Sequence, residues 1–522
     1  MRSSVAKIAF VVSLMAISFL YGFGARAWGL FPNALLEQAW RQAKAVAPFH
    51  TPNFVNPRVY DRKGVRQVAP DKMQPGLTLV TSMWDGPDGW LPEARLLNQE
   101  GKVLHKWRVD PRAIFPDSLD ERRVGRRYIH GSHLLPNGDV LVNFGQVGTV
   151  RLDACGTVQW RLAARSHHFI ERADDGSFWI SGSSQEPRLT SSGHPKGFPG
   201  LGEPVYHEPL LHVSKDGTVL DTINVLEVLY ANDLERYITE AFQPQAKEKG
   251  PQTADLTHVN DVEPLGTSLA DEYPLFEAGD LLVSVRNVGL VLVVDPDTET
   301  VKWHAEDPFI MQHDPDFLGD GWIGIFDNAR DFTRRGTMLG GSRIVAIQPH
   351  TDSVEVRFPT PRSDTFYTGS QGKWQQLENG NMLLTESWTG RIVEVTSKGR
   401  TVWEWVHAPY NEDHVPAVTE ATRYDLTPTE IAAWPCSSVD TTSAVQSARP
   451  MHGRGSATRR TVPYADVWNR VERGLVAGHQ LYAGGAPLRL YFSAPCRAEE
   501  GTSREPWSSM YPRTPFRLPC RT

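Results

Sequence analysis

Cysteine is scarce in this chain, with four residues in 522, at positions 155, 436, 496 and 520. Cys155 stands alone in a predicted turn and the others fall towards the C-terminus, so neither a disulfide framework nor a zinc-type spacing can be read. A pair between Cys436 and a later cysteine requires the tail to fold. Excess basic charge is missing too: 54 Lys and Arg against 61 Asp and Glu give a formal net charge of −7. That balance excludes a general attraction for nucleic acid or for an anionic membrane surface, and it makes any anion site a local feature. No Gly-rich phosphate loop, Gly-x-Ser-x-Gly elbow or paired-carboxylate glycosidase pattern occurs, and no cofactor is called for. Long apolar runs are absent as well. The longest, Ile8 to about Phe23, falls short of the ~20 residues that comfortably cross a bilayer. Arg2 and Lys7 precede it and Gly24-Ala25-Arg26-Ala27 follows, so residues 1–27 read as an export signal or, over 8–25, as an uncleaved anchor in the inner membrane. Either address is periplasmic or otherwise extracytoplasmic.

A repeat of roughly fifty residues is what the chain does have. His258 to Leu265, Asp280 to Arg286, Gly289 to Asp295 and Thr300 to Trp303 read as four short strands joined by turn formers. The phrase recurs from His130 to Trp160 and from Gln371 to Trp403, with weaker copies at Leu77 to Trp107, His167 to about Asn224, and His313 to about Phe358. Trp107, Trp160, Trp303 and Trp403 fall at one phase, as residues packed between neighbouring blades would. The fold class is therefore all-β, a six-bladed β-propeller over residues 77–435. It is preceded by the signal or anchor helix and a stalk or linker over 28–76, in which Phe31 to Val46 has helical spacing. Ser184 to Glu208 and Val228 to Leu256 read as insertions between strands. Residues 436–522, rich in Ser, Thr, Arg, Ala, Pro and Gly and without the strand and turn beat, read as an irregular tail.

In a propeller the innermost strands face a central channel, and polar residues at their starts meet at one mouth. His130 or His133, His167 or His168, His258 and His313 share that phase, with Gln371 or Gln375 in the sixth unit. Several imidazoles and an arginine around one pocket would hold a tetrahedral oxyanion and move protons near neutral pH. A metal site assembled from the same histidines, with Asp261 and Asp314 nearby, is the rival chemistry. No His pair has the short spacing that most easily fixes a metal, and no metal ligand is assigned.

His258-Val259-Asn260-Asp261, Ser284-Val285-Arg286-Asn287, the run Gln312 to Phe317, Ile325-Phe326-Asp327-Asn328 with Arg330, and Ser342-Arg343 resemble the bacterial arylsulfotransferase family over roughly residues 75–430. Leu377 to Asn381 and Val402-Trp403-Glu404-Trp405 also fit its pattern. The resemblance implies an exported propeller that moves a sulfuryl group from a small aromatic sulfate donor to a phenolic acceptor through a sulfated histidine. His258 and His313 match the two supporting histidines and Arg330 the arginine, with Arg343 as second candidate. Asn260, Arg286, Asn328 and Arg343 are the expected substrate-binding residues. The family nucleophile aligns with Val418, which leaves His414, and less well His407, to replace it. Short of catalysis, the same pocket would serve a membrane-anchored propeller that binds an anionic or aromatic ligand or a protein. No nucleic-acid partner is implied, and the oligomeric state is not legible.

Overall fold

The computed structural model describes residues 2–28, 53–87, 89–116, 128–238, 254–330, 341–436 and 461–462. Residues 2–28 form one helix, and among the described residues no helix is long and apolar enough to cross a membrane. The expected helix at Phe31 to Val46 lies outside the described residues.

Six four-stranded antiparallel sheets form the ring. From channel to rim, blade 2 runs 129–134, 140–144, 148–152 and 158–162, blade 3 runs 170–172, 178–181, 209–213 and 219–224, and blade 4 runs 259–264, 281–285, 290–294 and 301–305. Blade 5 runs 313–319, 322–327, 343–348 and 353–358, and blade 6 runs 374–376, 382–386, 391–395 and 401–406. Blade 1 takes its innermost strand, Glu420–Tyr424, from the far end of the chain and continues with 77–84, 91–97 and 103–108. That strand closes the ring, which leaves no open edge between the first and last blades.

The recurring tryptophan has a physical explanation. Trp107 Nε1 donates to the Asp153 carbonyl at 3.1 Å, Trp160 Nε1 to that of Lys215 at 3.1 Å, and Trp403 Nε1 to that of Gln99 at 2.8 Å. Each acceptor lies in the turn between the third and fourth strands of the next blade, so the indole both fills the gap between blades and bonds across it. The turn below Trp160 needs glycine: Gly217 has φ +85°, and a Cβ there would come within 2.7 Å of the indole.

Three expectations require correction. Residues 53–76 are not a free stalk, because Val55–Pro57 pairs with His414–Pro416 and Gly64–Gln67 adds a fifth strand to blade 6. The stretch that begins at Val418, where the family nucleophile aligns, lies not beyond the ring but largely in the closing strand of blade 1. Cys436 is no part of an irregular tail and does not wait for a tail cysteine: it is bonded to Cys155 of blade 2. Helix Pro428–Ala432 leads to it, and Trp434 packs against His105 and Trp107. The remainder of 437–522, other than a two-residue strand Thr461–Val462 beside blade 2, lies outside the described residues.

The Cys155–Cys436 bond spans 281 residues and fastens the chain just beyond the closing strand. Cross-linking so long a loop restricts the unfolded chain, so Cys436→Ser is expected to lower unfolding free energy by about 2–5 kcal/mol. Urea unfolding of oxidised protein, reduced protein and the variant checks this. Identical midpoints would contradict it.

Candidate active site at the channel mouth

The site starts with an unusual backbone. His168, His258 and Gln371, each just before the innermost strand of its blade, have φ of +58°, +48° and +58°. A left-handed conformation costs a non-glycine residue about 1–3 kcal/mol and persists where the surroundings impose it. Its effect here is to turn the residue out of the strand's alternation at the mouth of the channel.

Five imidazoles meet there, the His167 ring standing 5.0 Å from that of His168 and 6.2 Å from that of His258, with its Nε2 3.2 Å from Glu208. His168 Nε2 lies 2.8 Å from His258 Nε2, and the His168 ring stands 3.8 Å from that of His130 and 6.2 Å from that of His313. His258 Nδ1 bonds the Asp255 carboxylate at 2.6 Å. With Nδ1–H committed to Asp255, His258 Nε2 accepts, and His168 Nε2–H donates to it. His313 is set in the same way. Its Nδ1–H donates to Asn328 Oδ1 at 2.5 Å and to the Met311 carbonyl at 3.1 Å, while its Nε2 accepts the Gln371 backbone N–H at 3.2 Å. His130 Nδ1 and Asn260 Oδ1 are buried without a hydrogen-bond partner.

Burial, followed by repulsion from neighbouring histidines, drives His130, His168 and His313 well below the usual imidazole range, with Arg286 adding to it at His130 and His313. Burial and Arg286 also lower His258, against the pull of Asp255. Burial lowers Arg286 itself to about 10; Asp255 and Glu208 oppose this, and Arg330 adds to it. Burial would raise Asp255, yet His258, by charge and hydrogen bond, and Arg286 hold its carboxyl below the ordinary range. These imidazoles, with Arg286 beside half-buried Asp255 and buried Glu208, make a place for an anion, because an anion lets the rings protonate and relieves their mutual repulsion.

The opposite wall is acidic. Lys373 Nζ lies 2.8 Å from Asp314, 3.6 Å from Glu171 and 3.6 Å from Glu420. Burial above all raises Glu171 to about 7 and Glu263 to about 8, and lifts Asp261 and Asp316 well above the carboxylate range. Among the described residues, no three His, Cys, Asp or Glu side chains are arranged to hold a metal ion.

The structure thus brings His258 and His313 together, with Arg286 beside them and Arg330 close enough to act on Arg286. Asn260 lines the cavity next to His130, His168 and His313. Two expected binding residues serve other purposes. Asn328 orients His313 and donates to the Thr368 and Gln371 carbonyls, and Arg343 is spent on buried Asp327 and the Pro308 carbonyl. His414 sits in the separate two-stranded sheet opposite Pro57, with Nδ1 3.1 Å from Asn411 Oδ1. His407 is buried between Trp84 and Trp405, where burial lowers it to about 4. Val418 packs with Val80, Leu383 and Trp403 between blades 6 and 1, and it is Thr419 and Glu420 that reach the cavity. Sequence reasoning left His130 against His133 and His167 against His168 open and missed Asp255 and Lys373. Asp255, three residues before His258, was the signal available.

The sequence model of the arylsulfotransferase (ASST) family matches residues 131–408. No curated protein matches the chain. Solved structures similar to it include a protein of unknown function from Bacteroides caccae, at 12% identity over 67% of this chain and 98% of that one with a TM-score of 0.42. A streptogramin B lyase shares 11% identity over 69% and 97%, with a TM-score of 0.34. A virginiamycin B lyase from Staphylococcus aureus shares 9% over 71% and 91%, with a TM-score of 0.33. Likeness at that level says nothing about activity. The family match spans more than half of the sequence and contains His168, His258, His313, Arg286 and Arg330, and the chain belongs to the arylsulfotransferase (ASST) family.

Proposed function

We propose that the protein is an exported enzyme that transfers a sulfuryl group from a phenolic sulfate ester to a phenolic acceptor at the histidine cluster. The observation that carries this reading is the convergence of five histidines beside Arg286, with Arg330 near Arg286, in a chain of this family. Sulfuryl transfer needs a neutral nucleophile in line with sulfur and donors on its nonbridging oxygens. Val418 offers no nucleophile, and His414 lies in another sheet. His168 lines the cavity and bonds a second imidazole that a carboxylate orients, the arrangement that activates a nucleophile.

In the first step a nitrogen lone pair of His168 attacks sulfur, the ester S–O bond breaks and an N–S bond forms. The Nε2 proton of His168 passes to His258, whose Nδ1–H stays hydrogen-bonded to the Asp255 carboxylate, and then to the departing phenoxide. In the second step the acceptor phenol oxygen attacks the same sulfur, the N–S bond breaks, and the acceptor's proton returns through His258 to His168. One phenol leaves and one phenyl sulfate forms. Arg286 and Arg330 offset the charge on the sulfuryl oxygens.

The Cys155–Cys436 bond supports an oxidising, extracytoplasmic compartment, with residues 8–25 as leader or inner-membrane anchor. The test is release of 4-nitrophenol from 4-nitrophenyl sulfate, with and without phenol. Phenol-accelerated release is expected. No release by folded protein over a panel of acceptors would turn the reading towards a propeller that only binds an anionic or aromatic ligand.

A further inference from the structure

The cavity among the histidines has a volume of about 40 Å³, room for a small oxyanion but not for an aromatic ring. A second cavity of about 120 Å³ adjoins it and shares Gln371 and Thr419 with it. The rest of its wall includes Phe54, Met83, Tyr128 and Trp388. Asn53, Asn56, Ser82 and Ser370 complete it, so the wall is part aromatic and part polar; a cavity of ~150 Å³ is known to accept benzene, and this one is of the size of a single unfused ring with polar groups to meet its hydroxyl. Tyr128 ties the two cavities together, with its ring 5.2 Å from the His130 ring in an edge-on arrangement.

The aromatic wall is held in place before any ligand arrives. Trp388 Nε1 donates to Ser370 Oγ at 3.1 Å. The indole lies against Gly369, where a Cβ would come within 2.8 Å of it. Trp388 sits in the turn Ser387–Thr389, closed by Gly390 at φ +66°, and blade 4 builds the same turn at Arg286–Val288 with Gly289 at φ +66°. The repeat therefore puts Trp388 of blade 6 at the phase of Asn287 in blade 4. Phe54 is fixed from the other side. Its carbonyl accepts the Ala417 N–H at 2.8 Å, and its ring packs on Tyr410 and Trp90 at 5.9 and 5.8 Å. The strand that follows it pairs with His414–Pro416.

We infer that this second cavity is the ring subsite of the enzyme and that Phe54, Tyr128 and Trp388 select an uncharged, monocyclic phenolic ring beside the sulfuryl position; the inference rests on the sulfuryl-transfer reading. Phe54, Met83, Tyr128 and Thr419 lie outside the span matched by the family, 131–408, whereas His168, His258 and His313 lie within it. Trp388 lies within it too, so the subsite joins one residue of the family span to others beyond it, and the segment before the propeller supplies one side.

The experiment is a calorimetric titration of the full chain with 4-methylphenol and with 1-naphthol, without any sulfate donor. Trp388→Ala and Phe54→Ala are each expected to weaken 4-methylphenol binding about tenfold, the size of one well-packed aromatic contact. Trp388→Phe is expected to stay within about threefold, and 1-naphthol to bind the wild type more weakly than 4-methylphenol. Where Trp388→Ala does not fold, Phe54→Ala decides. Unchanged 4-methylphenol affinity in these variants, or tighter binding of the fused ring, would overturn the inference. A protein that binds 4-methylphenol through Phe54 and Trp388 yet transfers nothing keeps the subsite and loses the functional reading. One that transfers but binds 4-methylphenol equally in every variant does the reverse.

Discussion

His168→Ala is expected to lower kcat for 4-nitrophenyl sulfate by about 10⁴-fold or more, the scale seen when a covalent nucleophile is removed. The protein should remain folded, because the ring stands in a polar cavity rather than in the interblade core. His414→Ala is expected to stay within about threefold, since that residue serves the two-stranded sheet behind Phe54. Restoring a histidine at the aligned position does not help: Val418→His would put an imidazole among Val80, Leu383 and Trp403, where its polar atoms find no partner. That variant should be less stable and no faster. Steady-state kinetics on the three variants, each checked by thermal unfolding, decides the matter. Full activity in His168→Ala with loss in His414→Ala would reverse the assignment.

The second large effect concerns Lys373. It is the cation that faces Asp314, Glu171 and Glu420 across the channel, and removing one partner of a buried ionic group leaves the others uncompensated. Lys373→Met is expected to cost about 3–5 kcal/mol at pH 8. The pH dependence has a definite sign. Glu171 and Glu263 have folded-state values raised by burial to about 7 and about 8, so the folded state binds more protons than the unfolded one. Their contribution is complete below the ordinary carboxylate range and is lost as pH rises through 7 to 8. Wild-type stability should therefore fall over that window. The deficit of Lys373→Met should be smaller at pH 5.5 than at pH 8, because protonated carboxyls need no counter-charge. Urea unfolding at the two pH values measures both. A deficit below about 1 kcal/mol that does not change with pH would contradict the account.

What the sequence made legible and what it hid divide along physical lines. Six units and the phase of the tryptophans were readable because each blade is a local object, four strands with short turns, and the indoles of Trp107, Trp160 and Trp403 repeat one bond to the next blade. His258 and His313 were readable because they begin such units. The choice of His168 over His167 was not, since it depends on a positive φ that no residue preference announces. Ring closure was hidden for a different reason. Glu420–Tyr424 pairs with Leu77–Trp84, far away in the chain, and Cys436 finds Cys155 at a similar remove. The same closure explains Val418, which looks like the place of a nucleophile in a linear alignment but turns into the apolar seam between the last blade and the first. Trp388 escaped notice because a tryptophan in a turn reads as packing until the cavity beside it is seen.

The most direct test of the central claim is to mix the protein with 4-nitrophenyl sulfate in the absence of acceptor, quench at alkaline pH where an N-sulfo imidazole survives, and locate the adduct by peptide mass spectrometry. The account predicts a sulfo group on His168 that disappears when phenol is added before the quench. A sulfo group on His414 or His313, or phenol-dependent turnover with no adduct on any histidine, would contradict it.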